Sequence, residues 1–253
     1  MTRIFYRTVF VALMAITLVA CNNDGFTIEG TIDGGAGKTL WLEELGPEGQ
    51  MFIDSIPIDA DGHFSYSYTA PYPSMYNLHA GPQNYIVTQP NNGEKVKIEA
   101  HWNNLSLSYS ISGSPQSELL WQLQQYTNQG IEVLQGLVDT TRYYSGMKAE
   151  GRCDEATVKA KRRETDSIFL QNYLLQQGLV QSFIEENYGS LTTLIALYKN
   201  FSGKPLIDPR DTDGLHYYDL VLQGLKEQYP DNPHTIRFQA GLERLRNTME
   251  SEE

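Results

Sequence analysis

Apolar and polar residues alternate with period two from Phe26 to Ile111, the pattern of strands with one buried face. Phe26, Ile28 and Ile32 share one phase, Leu40 and Leu42 flank Trp41, and Phe64, Tyr66 and Tyr68 alternate with Ser65 and Ser67. Val96, Ile98, Ala100 and Trp102 form another run, and Leu105, Leu107, Tyr109 and Ile111 the last. Gly34-Gly35-Ala36-Gly37, Asp61-Gly62 and Asn92-Gly93 separate these runs, and such residues accept the positive φ of tight hairpin turns. Short strands so spaced predict an antiparallel β-sandwich or barrel over residues 26–113.

The period changes at Ser112-Gly113-Ser114-Pro115. Ser114 suits a helix N-cap, and Pro115 suits the first helical position, where a missing N–H costs nothing. Leu119, Leu120, Leu123, Ile131, Leu134 and Val138 then follow at helical spacing. Further helices are expected over about 154–177, 190–201 and 213–228, with Asn232-Pro233 opening a last one striped by Phe238, Leu242, Leu245 and Met249. No stripe persists long enough for a coiled coil. Residues 114–253 thus read as an irregular helical bundle, and the whole as an α+β chain.

Ahead of both lies a different kind of segment. Arg3 and Arg7 precede a twelve-residue apolar run, Val9 to Ala20, broken only by Thr17. This is the basic-then-apolar order of a secretory signal, shorter than the roughly 18–20 residues a spanning helix needs. Leu18-Val19-Ala20-Cys21 resembles the lipobox of bacterial lipoprotein signals. The resemblance implies removal of residues 1–20, lipid on Cys21, and a short tether over 21–25. Diacylglycerol there would hold the protein stably, at about 0.8 kcal/mol per buried methylene. Asn22 rather than Asp after the cysteine points, by the enteric sorting rule, to the outer membrane, on its periplasmic face or the cell surface.

Composition narrows the partners. Loss of Arg3 and Arg7 without any acid would take the net charge from −12 to −14, which disfavours nucleic acid and anionic headgroups. Membrane attachment is therefore expected through the lipid anchor alone. With Cys21 acylated, Cys153 is the remaining thiol, leaving no internal disulfide, CxxC motif or zinc-type cysteine cluster. Asp154 and Glu155 oppose the thiolate that Arg152 would favour, so Cys153 reads as a bystander.

The ordered set of short motifs carries a second resemblance. Phe26-Thr27-Ile28-Glu29-Gly30-Thr31-Ile32, Leu40-Trp41-Leu42, Asp54-Ser55-Ile56, Asp61-Gly62-His63-Phe64-Ser65-Tyr66 and Ile111-Ser112-Gly113-Ser114-Pro115 are its first part. Phe183-Ile184-Glu185-Glu186-Asn187 and Ser190 to Leu197 are its second. Together they resemble Gram-negative lipoproteins in which an uncharacterised N-terminal β-domain and a helical spacer precede a thioredoxin-like thiol-disulfide oxidoreductase domain. In that family the redox domain, with its Trp-Cys-x-x-Cys site, would begin near residue 250. This chain ends at Glu253, and no position matches either catalytic cysteine. The resemblance implies the fold and the envelope address; without a match to the redox domain or any catalytic constellation, the expectation is a lipoprotein that acts as a non-catalytic binding or assembly module with an envelope protein partner. The alternative is an accessory to a periplasmic thioredoxin-like system.

A search for other chemistry adds little. His63, His79, His101, His216 and His234 show no metal-ligand spacing and read as surface or turn residues. Gly34 to Thr39 lacks the first glycine of a P-loop, which would fall at Ile32. Glu43-Glu44 and Glu185-Glu186 read as solvated surface. No catalytic, cofactor or metal site is expected. Among the 16 tyrosines, Tyr72, Tyr76 and Tyr85 gather near Pro71, Pro73 and Pro82 and offer a candidate ligand surface for sugars or peptides. Sheet packing is nevertheless the favoured account of these tyrosines, because β-sandwich faces and edges prefer that residue. Ser55, Thr140 and Ser167 sit in Asp-Ser/Thr tripeptides that match a bacterial O-glycosylation pattern.

Overall fold

The alternating runs become eight strands, described here from a computed structural model that covers residues 25–252. They are β1 (Phe26–Asp33), β2 (Thr39–Gly46), β3 (Gly49–Pro57), β4 (His63–Tyr68), β5 (Tyr76–Gly81), β6 (Asn84–Thr88), β7 (Lys95–His101) and β8 (Ser110–Ser112). One sheet has the order β4-β1-β7-β8 and the other β3-β2-β5-β6. Phe26, Ile28, Val96 and Ile98 from the first meet Leu40, Leu42, Leu78 and Ile86 from the second in a shared core, each 1% exposed or less. The result is an open sandwich; the barrel alternative is not realised.

Three details depart from the sequence reading. The pairing of β1 with β7 is parallel, in register from Thr27↔Lys95 to Asp33↔His101, so the sandwich is not wholly antiparallel. The glycine turns at Gly34, Gly62 and Gly93 do adopt positive φ, but each joins strands of different sheets. They are arches over the core; the hairpins are β2–β3 and β5–β6. The run from Leu105 to Ile111 is also not one strand. Trp102–Asn104 forms a 3₁₀ turn, α1 (Leu105–Ser108) follows it, and only then does β8 pair with β7. Asn84 explains the interruption: its side chain bonds the Trp102 carbonyl and the Leu105 amide, both at 2.6 Å.

Beyond the sandwich, Ser114 caps α2 (Pro115–Ala149), accepting from the Ser117 amide, with Pro115 at the start of the helix. Ser117 Oγ in turn accepts from the Gln89 amide at 3.0 Å and so fixes the helix to the end of β6. α3 (Glu155–Asn187) returns alongside α2, and runs ten residues further than the expected Gln177. α4 (Thr192–Leu197), the short hairpin β9–β10 (Asn200–Phe201 and Lys204–Pro205), α5 (Thr212–Gln228) and α6 (Pro233–Glu252) complete the bundle. Its core includes Val180, Ile184, Leu191, Leu197, Val221 and Leu225. Among the described residues no helix is long and apolar enough to cross a membrane.

The bundle does not stand apart from the sandwich. Met75 belongs to the bundle's core, and Leu45 and Val87 pack against it. Asn232 caps α6 by accepting from the His234 amide at 2.9 Å, while its Nδ2 donates to the Pro73 carbonyl at 2.8 Å. One side chain thus starts the last helix and ties it to the loop before β5.

Candidate functional site

Alternation along β2, β5 and β6 sends Leu40, Leu42, Leu78 and Ile86 into the sandwich and aims Leu45, Asn77, His79, Tyr85 and Val87 the other way. This outer face meets α2 and α4, and the fit is incomplete. A cavity of about 310 Å³ remains between Asn77, Tyr85 and Val87 on the sheet, Leu123 and Gln124 on α2, and Ile195 and Lys199 beside α4. Leu45 and Ile195 also border a second cavity of about 450 Å³. That one is walled by Met75, Tyr218, Phe238 and Leu242, with Arg237 and Arg244 of α6 among its lining residues. Both cavities fall in the size range of small-molecule sites and lie where such sites commonly do, between two packed units.

The smaller cavity carries the more specific chemistry. Lys199 Nζ donates to Gln124 Oε1 at 3.3 Å, and no ion pair among the described residues includes it. Burial alone lowers its pKa to about 8, because an ammonium loses hydration there without gaining a counter-charge. Asn77 Oδ1 is buried with no hydrogen-bond partner. On the same face His79 Nε2 lies 3.5 Å from Glu43 Oε1, and the Trp41 ring is 5.7 Å from that of His79.

A second polar group fills the junction between loop 71–75 and α6. Glu44 is 1% exposed and neither of its oxygens has a hydrogen-bond partner of good geometry. Glu44 shares the inward phase of Leu40 and Leu42 on β2, so it is buried core, not the solvated surface expected of Glu43-Glu44. Only Glu43 faces outward. The Tyr72 phenol is turned towards the Glu44 carboxylate, and burial followed by that carboxylate raises its pKa. Tyr76, directly across from Glu44, is fully buried and held in its protonated form by burial first and Glu44 next.

His234 corrects another expectation, since it is buried and not a surface or turn residue. Its Nε2 lies 2.9 Å from Ser74 Oγ. Burial lowers its pKa from the ordinary 6.5, with Glu44 acting more weakly in the opposite sense. The folded chain therefore favours neutral His234, and the unfolded chain takes up that proton first as pH falls. His234's contribution is present above about pH 6.5 and is lost as pH drops through its lower folded value. Thermal unfolding followed from pH 7.5 to 5.5 should show a falling midpoint, with a shallower fall in His234→Gln. Equal slopes in the two proteins would remove His234 from the account.

The sequence candidates are scattered by this geometry. Of the three tyrosines, Tyr85 lines the small cavity, Tyr72 sits half-buried at the junction and Tyr76 is inside the sandwich, so they do not form one surface. Ser55 and Ser167 are exposed, whereas Thr140 is half-buried with its hydroxyl bonded to the Gly136 carbonyl at 2.8 Å. Cys153 is free and half-buried just past the end of α2, with Sγ 3.8 Å from the Tyr144 carbonyl. Cys21 and the signal lie outside the described residues. Among the described residues no group of three or more His, Cys, Asp or Glu side chains is arranged to hold a metal ion. Lys199 and Asn77 carried no sequence signal beyond residue type, because the cavity exists only once sheet, α2 and α4 have met.

Comparison with known proteins places a name on one part of the chain. Residues 26–120 match the family described as Domain of unknown function (DUF4369). The match spans the sandwich and the first residues of α2, through the Ser114 cap and Ser117, which pin that helix to the end of β6. The uncharacterised N-terminal domain expected from the sequence is therefore present. No curated protein and no solved structure matches the chain.

Proposed function

We propose that the protein is a lipid-anchored lipoprotein of the cell envelope, in its outer membrane, that works as a binding or assembly module rather than as a catalyst. The cleft between the sandwich's outer face and the helices is its binding site. The observation that carries this reading is the pair of cavities sharing Leu45 and Ile195, one with mostly apolar walls and the other holding an unpaired lysine. The lipobox-like Leu18-Val19-Ala20-Cys21 supports the anchor. Full-length protein in cells fed a labelled fatty acid should carry the label and sediment with membranes, while Cys21→Ser should do neither. Label retained in Cys21→Ser would end the lipoprotein reading. A photo-crosslinking residue at position 85 should give a discrete adduct that Lys199→Glu removes, whereas the same residue at Ser167 should give none. Adducts equal at both positions would end the cleft reading.

The alternative, an accessory to a thioredoxin-like system, draws on Cys153 near the turn between the two longest helices. A mixed disulfide trapped at Cys153 supports it; unchanged thiol reactivity and phenotype in Cys153→Ser remove its cysteine-based form.

A further inference from the structure

We propose that the smaller cavity binds a compact organic carboxylate: its anionic group pairs with Lys199 Nζ, and a hydrogen-bond donor on the same molecule reaches Asn77 Oδ1. This rests on reading the cleft as a binding site and adds the chemical class of what enters it. The chain holds 31 acidic residues against 19 basic ones, so an amine left without a carboxylate is not explained by any shortage of acids. Instead the lysine meets only the neutral Gln124 Oε1 at 3.3 Å. An ammonium has three N–H donors, and one amide oxygen leaves two of them for a ligand. Lys199 is half-buried, and a charge partly withdrawn from water without a partner carries a cost that a carboxylate entering the cavity would relieve.

Asn77 Oδ1 narrows the choice further. It is buried and unpartnered and lines the same cavity. A bare carboxylate would leave this acceptor unfilled, whereas a ligand with an N–H or O–H fills it. Tyr85 and Tyr109 add aromatic wall for the ligand's apolar part. A phosphate monoester fits less well, because it carries about −1.5 to −2 charges at neutral pH against one cation. The volume, about 310 Å³, lies at the small end of ligand sites and suits a single-ring or amino-acid-sized molecule. Burial's lowering of the amine's pKa is consistent with a site whose counter-ion comes from outside the chain.

Isothermal titration of the full-length chain in detergent tests this with 4-hydroxybenzoate, benzoate and 4-hydroxybenzamide. The hydroxy acid should bind most tightly. The neutral amide should bind at least tenfold more weakly, and benzoate should fall between them. Lys199→Met should weaken the hydroxy acid at least tenfold while circular dichroism stays unchanged. Asn77→Leu should erase its advantage over benzoate. Failure of both acids to bind, equal binding of acid and amide, or undiminished binding by Lys199→Met would overturn the proposal. If both acids fail while the adduct at position 85 persists and still depends on Lys199, the carboxylate class falls and the cleft reading stands. If the adduct is absent too, both fall.

Discussion

Gly30→Ala should cost the chain its cooperatively folded sandwich. β1 is a central strand, paired at Gly30 with Phe64 of β4 on one side and Ile98 of β7 on the other. A Cβ built on Gly30 would lie 1.7 Å from the Ile98 carbonyl oxygen and 2.7 Å from its carbon. Both are backbone atoms, so no side-chain rotation relieves the clash. Moving β7 away would break the parallel ladder and open the core around Ile28 and Ile98. We expect a loss of more than about 4 kcal/mol, the range reserved for clashes and core disruption. Against a typical total of about 5–15 kcal/mol, that is enough to unfold much of the population. Urea unfolding followed by far-ultraviolet circular dichroism reads the effect directly. Ile28→Val, which only trims a core methyl, should cost about 0.5–1.5 kcal/mol in the same experiment. A Gly30→Ala protein within 1 kcal/mol of the parent would mean the strands do not approach this closely.

Strand positions were legible because a half-buried strand writes its period into the sequence. Strand partners were not, since alternation says which face is buried and not which neighbour supplies the hydrogen bonds. This is why the parallel β1–β7 pair and the inter-sheet arches at Gly34, Gly62 and Gly93 emerged only in the fold. The Leu105 to Ile111 run failed for a related reason: Asn84, about twenty residues away, imposes the turn through two hydrogen bonds. The helix expected over about 154–177 continues through Gly178, although a mid-helix glycine costs about 1 kcal/mol. Beyond it Val180, Phe183 and Ile184 are buried in the bundle and outweigh that cost.

At the candidate site, part of what was missed had a usable signal. Glu44 is in phase with Leu40 and Leu42, and Tyr76 with Leu78, so their burial follows from the same alternation that placed the strands. Lys199 is different. Its surroundings come from α2, the outer face of the second sheet and the end of α4, and no local pattern encodes their meeting. The basic residues near the α2–α3 turn show a milder form of the problem. Arg142, Lys148, Arg152 and Lys161 each pair with a nearby acid, whereas no ion pair among the described residues includes Lys159, Arg162 or Arg163, so this end is locally more basic than the net charge of the chain suggests.

The two cores are unequal in a way that predicts how the chain comes apart. The buried members of the sandwich core all lie between Phe26 and Tyr109, with Ile111 and Trp121 packed against them. The bundle's core instead borrows Met75, with Leu45 and Val87 alongside, from the sandwich. Residues 25–121 expressed alone should therefore unfold cooperatively in urea, whereas residues 114–252 alone should not. In the full chain, Met75→Ala removes a 3%-exposed side chain from the bundle and should cost about 2–5 kcal/mol. That loss falls on the helices and leaves the sandwich core intact, so helical signal should be lost at lower urea than the sandwich. Two transitions reported by different probes would then replace one. The cleft would open with the first of them, since its walls come from both units. A 114–252 fragment as stable as the bundle in the full chain would refute this dependence.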